Sequence, residues 1–440
     1  MNREIFMLKF FRFLLLTVLT AVFISSCDSN TEYVYPPEDV VNRVTDFYVF
    51  EDGKSFVYLN SNMNRKYDFG ELVLMEIEDG ELLFRDSLLV PSISGKMAVS
   101  SDEKNIFITT RDKNGVVKAK VSGKSGSYRL QYEDGTKGDY PEILTTKKEP
   151  YALALSEDES KLMVTHILNG ELSVVDVKDW KVIKTAKLKY GVTDILYDKN
   201  SGYFLASHKS SGNISLIEAK ETVDEDFLVA VKELPIDLPT NGFDVRSLKQ
   251  SGDGTVFYAA FQNAYDEDSY DYSYDEDTAP QIVTFKITDN ALEVVRTLAV
   301  SGNLGEMAVL PYSSESAENQ ETPDKEQAEE ETSGEKTTDD SGAVEESGGN
   351  KTSSRTGDLI FVSLPSEEKV LIVDSARNSI RDEISYIDDK NECKPYQLYA
   401  KSTGNTTGYL FVSCFQNDMV YIYGIDLMSE EIIKKIGVLK

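Results

Sequence analysis

Histidine, tryptophan and cysteine are almost missing from this chain, which holds two, one and three of them among 440 residues. No Cys-x-x-Cys or His-Glu-x-x-His spacing occurs, which removes dithiol redox centres and helix-borne zinc hydrolases from consideration. No Gly-x-Ser-x-Gly occurs either, so the nucleophile turn of the α/β hydrolases is excluded. Gly123-Lys124-Ser125 has the ending of a phosphate loop, but it lacks the upstream glycine and any following helix pattern. Positive charge is the other shortage: 46 Lys and Arg stand against 76 Asp and Glu, a net charge of -30. Nucleic-acid binding runs on counterion release by basic stripes, so DNA and RNA are excluded as partners. The surplus acid serves solubility first. Lysines gather only mildly, at Lys118, Lys120, Lys124, Lys147, Lys148, Lys181, Lys184 and Lys187, either as ordinary charged surface or as a patch for an anionic glycan or the chain's own acidic insert.

What is present begins with an export signal over residues 1–26. Arg3, Lys9 and Arg12 make a basic start, and Phe13 to Phe23 an apolar core too short for a comfortable membrane span. Small residues then lead directly to a cysteine, in Ile24-Ser25-Ser26-Cys27. This resembles the lipobox of bacterial lipoproteins. The resemblance implies that Cys27 is acylated, that the chain is cut before it, and that the protein is held at a membrane by lipid. Several acyl chains on one residue anchor stably where one chain binds only marginally. Residues 27–43, with Pro36-Pro37, read as a tether.

From residue 44 a repeat takes over. Its clearest unit runs from Glu149 to Lys189, four short β-type runs each closed by a turn signal. The second run registers the others: Phe56-Val57-Tyr58-Leu59, Phe107-Ile108-Thr109-Thr110, Leu162-Met163-Val164-Thr165-His166 and Phe204-Leu205-Ala206-Ser207-His208. It returns at Val256, Ile360 and Leu410, making seven units at a period somewhat above forty residues. That pattern predicts an all-β, seven-bladed β-propeller over 44–440, with blades at about 44–90, 91–145, 149–189, 190–238, 241–300, 301–387 and 392–440. Six or eight blades, or a pair of sandwiches, are the alternatives, and the regular strand order disfavours a sandwich. No sequence is left at the C-terminus to complete blade one, so closure is expected to rest on packing between blades one and seven.

Blade three carries a resemblance of its own. Pro150, Ala152, Leu155 and Ser156, then Met163-Val164-Thr165-His166, then Gly170, Val174-Val175-Asp176 and Val182 resemble the repeat of the YVTN family of bacterial surface propellers. The likeness implies the propeller fold and a surface or periplasmic setting; the family's members differ in function, so it implies no activity. His166 stands where the family has Asn, which removes any inference from that Asn.

Four features are candidates for chemistry. His166 and His208 fill one slot in adjacent blades, which makes them half of a transition-metal or acid/base site or, on the plainer reading, a duplicated strand end. Blade five has a loop on the same face alternating Tyr and acid: Tyr265, Asp266, Glu267, Asp268, Tyr270, Asp271, Tyr272, Tyr274, Asp275, Glu276 and Asp277. Its carboxylates suit Ca²⁺ and its tyrosines suit partner recognition, although the spacing of an EF-hand is missing. Residues 313–356 are low-complexity acid, Ser, Thr and Gly, expected to be disordered within blade six. Cys393 lies just before the first strand of blade seven and Cys414 at the end of the second. Folding that pair as a hairpin about Gly404 opposes them, predicting a disulfide worth about 3 kcal/mol. The resulting expectation is a lipid-anchored propeller at the cell envelope, binding an envelope protein or glycan. The rival is a lactonase-like hydrolase with its site near His166 and His208.

Overall fold

The computed structural model describes residues 33–37, 40–137, 141–209, 212–221, 227–235, 244–262, 280–314, 355–387, 393–429 and 431–440. Every regular element among them is a β-strand, and the strands form seven consecutive antiparallel sheets. The chain is a seven-bladed β-propeller. Residues 36–440 form one compact unit; Met1–Tyr35 is a separate unit, whose described end shows the Tyr33 and Tyr35 rings meeting edge to face at 6.3 Å.

The inner strands are Val44–Val49, Ser94–Val99, Pro150–Leu155, Val192–Asp198, Val245–Gln250, Met307–Ser314 and Pro395–Ser402. Six blades have four strands in sequence order; the second has five, because its outer strand is broken into Arg129–Tyr132 and Ile143–Thr145. The break follows from a turn at Asp134-Gly135, where Gly135 takes a positive φ and its N–H donates to Tyr132 O. Second strands such as Ser55–Asn60 and Lys161–His166 are buried along their whole length, since each blade is covered on both faces by its neighbours. That is why the second run reads as a continuous apolar stretch. Outer strands such as Ala291–Ala299 alternate between exposed and half-buried.

Blade six corrects one expected boundary. Ser313 pairs with Thr356 and Ser314 with Arg355, so the inner and second strands extend into what composition assigned to the insert. Strand pairing with Leu310 and Leu359 already formed carries the ladder onward through these polar residues. The rest of the insert, residues 315–354, lies outside the described residues.

Closure is by packing. The last strand, Ile433–Leu439, completes blade seven on Met419–Asp426. Blade one meets blade seven through Phe411, whose ring lies 4.9 Å from Phe56 and 5.7 Å from Phe47. Ser413 Oγ donates to Val44 O at 2.9 Å across the seam. Arg43 reaches Asp418 (Nε–Oδ1 3.4 Å), donates to Phe415 O, and lies over the Phe415 ring at 5.1 Å.

Candidate ligand site at the mouth of the axial channel

The same local geometry recurs at the start of the inner strands. The residue just before the strand is left-handed in five blades: Arg43, Ile93, Glu149, Gly191 and Asp244, with φ of 54, 55, 57, 80 and 67°. For a β-branched residue such as Ile93 this conformation costs on the order of 1 kcal/mol, and a repeated backbone bond offsets it. The carbonyl of each accepts from the residue just past the second strand: Ser61, Arg111, Ile167, Lys209 and Gln262, at 2.6–3.2 Å. The inner strand then bulges. Register slips after Val44, Ser94, Pro150, Val192, Val245 and Pro395, and a bulge re-aims the side chains that follow it.

Two cavities result. The first, about 530 Å³, opens on the face of the blade connections and is lined by the residues past the second strands and by the first residues of the inner strands. Three cations line it: Arg111, Lys209 and Arg246. Tyr151 and Tyr396 stand in its wall. Glu149 holds Arg111 at 2.6 Å and Asp244 holds Arg246 at 2.5 Å. The second cavity, about 360 Å³, is lined by later residues of the same inner strands, among them Asp46, Val99, Gln250 and Tyr399.

Between the two lies a layer of four charges. Lys96 Nζ is 3.2 Å from Asp194 and 3.1 Å from Glu306; Lys249 Nζ is 2.6 Å from Asp194 and 3.7 Å from Glu306. Ser247 Oγ donates to Glu306 at 3.1 Å. Burial opposes the charge of Lys96, yet Asp194 and Glu306 hold its pKa well above the ordinary value. Burial likewise acts to raise Asp194, and Lys249 and Lys96 outweigh it to hold that carboxyl at about 2. The layer is electrically balanced. Asp46 lies beside it without a direct cation: its carboxylate accepts from Phe47 N and Met97 N at 2.9 and 2.8 Å, and burial pushes it up to about 6 against the pull of Lys96.

The two histidines are placed in one slot, but inside the blades rather than in the mouth. In six blades the last residue of the second strand pairs with the first of the inner strand, as in Pro150↔His166, Val192↔His208 and Pro395↔Cys414. From that slot His166 Nδ1–H donates to Lys148 O at 3.0 Å, and Nε2 accepts from Ser173 Oγ at 2.9 Å. Asn60, in the same slot of blade one, accepts from Asn42 N at 2.9 Å. In blade seven the equivalent positions are Cys414 and Cys393, joined as a disulfide with Cα atoms 5.0 Å apart. The slot is a latch between a blade's second strand and the segment entering it. His208 Nε2 meets Ser215 Oγ at 2.6 Å, and Ser215 donates to Glu233 at 2.6 Å, but both His208 and Ser215 are fully buried. Burial lowers both imidazoles, His166 to about 4.

Both ring nitrogens of His166 are committed within its blade, whereas His208 Nδ1 is buried without a hydrogen-bond partner among the described residues; among the described residues no cluster of three or more His, Cys, Asp or Glu is placed to hold a metal ion. Cys27 and the Tyr265 to Asp277 loop, with the Ca²⁺ reading attached to it, lie outside the described residues. Half of the mild lysine cluster is spent on carboxylates of its own blades: Lys118 and Lys120 on Glu133, Lys181 on Asp179 and Lys187 on Glu171. Sequence reasoning missed Arg111, Lys209 and Arg246. For Arg111 and Lys209 the signal was one column away, since both, like Ile167, follow the last residue of the aligned second run.

Two measurements follow. The latch equivalence predicts that the Lys148→Cys/His166→Cys pair forms a disulfide, shown by loss of thiol reactivity without reductant, with a gain of about 3 kcal/mol. The titrations predict opposed pH terms. His166 is held neutral below its free value of 6.5, so its contribution is present above pH 6.5 and is lost as pH falls toward 4, about 3 kcal/mol in all. Asp46 is held protonated above its free value of 3.8, so its contribution is present below pH 4 and is lost as pH rises through 6, by a similar amount. In denaturant unfolding across that range, Asp46→Asn is expected to make stability rise more steeply with pH than in wild type, and His166→Gln less steeply.

No protein-family model matches this sequence, and no curated protein sequence does. Solved structures match in shape. Hydrazine synthase from Kuenenia stuttgartiensis superposes with a TM-score of 0.57 at 9% identity, over 90% of this chain and 97% of that one. Dihydro-heme d1 dehydrogenase NirN, in complex with DHE, gives 0.52 at 12% identity, over 90% of this chain and 65% of that one. A protein of unknown function from Desulfotomaculum acetoxidans gives 0.50 at 11%, over 89% and 94%. The likeness is one of fold.

Proposed function

We infer that this protein is a YVTN-like propeller lipoprotein, held at a bacterial membrane through acylated Cys27 and facing the periplasm or the surface. There it acts as a binding module for an envelope protein or glycan. The observation that carries the reading is the fully buried Cys393–Cys414 disulfide, which suits an oxidising compartment and agrees with the Ile24 to Cys27 lipobox. Propellers present loops and connections on a rigid body, a common arrangement for recognition. The hydrolase reading is less well supported, because His166 is bonded at both ring nitrogens and both histidines are buried.

Photo-crosslinking in cells tests the binding role. A photoreactive residue at Gln262, on the cavity mouth, is expected to capture a defined envelope component. One at Asn405, in the hairpin between Pro395–Ser402 and Thr407–Cys414 on the opposite face, is not. Capture from Asn405 alone, or from neither, contradicts the reading.

A further inference from the structure

The geometry points to a ligand class for the mouth: an acidic sugar, a carboxylate carried on a hydroxylated ring, held by Arg246, Lys209 and Arg111. This rests on the binding-module reading and sharpens it.

Charge supplies the first argument. The protein carries a net charge of -30, yet three blades contribute cations to one cavity. Two carboxylates, Glu149 and Asp244, answer three cations there, and Glu306 on the floor is already committed to Lys96 and Lys249. Among the described residues, one positive charge is left for a ligand. Lys209 is its natural carrier, with an exposed side chain on a backbone held by the 2.6 Å bond to Gly191 O.

The guanidinium groups supply the second. Glu149 engages Arg111 at Nε and Nη2 through a single oxygen, which among the described residues leaves Nη1 of the fork for another acceptor. Asp244 takes Nη2 of Arg246, and Arg246 Nε and Asp244 Oδ1 are both buried without a hydrogen-bond partner among the described residues. An unsatisfied buried donor and acceptor cost free energy, and a carboxylate and a hydroxyl on one ligand are the complements of these two groups.

The neutral lining supplies the third. Gln262, Asn303 and Ser366 bring amides and a hydroxyl suited to ring hydroxyls, and Tyr151 and Tyr396 bring flat faces with polar tips. Gln262 Nε2 donates to Asn303 Oδ1, fixing the rim amides relative to one another. A cavity of about 530 Å³ is within the usual range for a small ligand.

Calorimetric titration of the full detergent-solubilised protein tests this with galacturonate, glucuronate and N-acetylneuraminate as probes, against galactose and inorganic phosphate. At least one acidic sugar is expected to bind about tenfold more tightly than both controls. Its affinity is expected to fall with added salt, and to weaken about tenfold in Lys209→Ala and again in Arg246→Gln. Lys209→Ala carries the test if Arg246→Gln fails to fold, because Lys209 is exposed. Equal binding of galactose, equal binding of phosphate, no binding of any acidic sugar, or undiminished affinity in Lys209→Ala would each overturn the assignment. Crosslinking from Gln262 stands apart from these outcomes, so a mouth that captures a partner but ignores acidic sugars refutes the sugar alone.

Discussion

Lys96→Met is expected to lower folding stability by about 3–5 kcal/mol, the largest single-residue effect in the channel. The side chain is 9% exposed and is shared between Asp194 and Glu306. Methionine matches its length and removes its charge, leaving two buried carboxylates to one lysine. The cost comes from the stranded charge rather than from lost attraction, so it should be repairable. Glu306→Gln in the Lys96→Met background restores a one-to-one pairing of Lys249 with Asp194, at 2.6 Å. More than half of the lost stability is expected to return, so the two changes are strongly non-additive. Additive losses in denaturant unfolding would show that the layer is not a balanced set.

Phe411→Ala is expected to cost about 3–5 kcal/mol, as for a large buried aromatic elsewhere, but with a distinctive distribution. Phe411 is fully buried and touches Phe47 and Phe56 across the only junction that chain connectivity does not join. Phe257 in blade five is equally buried and stacks on Phe285 of its own blade at 5.4 Å. Both alanine variants lose stability, but hydrogen exchange separates them. Phe411→Ala should expose amides of Val44–Asn60 and Pro395–Cys414 before the rest, whereas Phe257→Ala should lower protection more evenly around the ring. Uniform loss in both would contradict closure by packing at this seam.

The sequence and the structure agree where burial on both faces leaves a continuous apolar signature. The second strands gave the blade count and register, and with them the shared slot of His166, His208 and Cys414. The slot was readable; its role was not, because the latch partner is a backbone carbonyl at Lys148, which has no side-chain signature. The channel was harder still. Asp46, Lys96, Asp194 and Lys249 follow bulges that shift the inner strands by a residue or more. In sequence they look like ordinary solvent-facing positions of a half-buried strand. Arg246 was hidden for the same reason. Arg111 and Lys209 look like turn residues until the backbone bonds to Ile93 and Gly191 place them on the rim. The break in blade two's outer strand came from the turn at Asp134-Gly135, where the four-strand template of the other blades gives one continuous strand.

The placement of this propeller at the envelope is tested most directly by the intact mass of the protein extracted from membranes, with thiols alkylated before any reduction. The expected mass is that of a chain that begins at Cys27, carries acyl groups there, and shows no alkylation at Cys393 or Cys414. An unacylated chain recovered from the soluble fraction, or one alkylated at both of those cysteines, would contradict it.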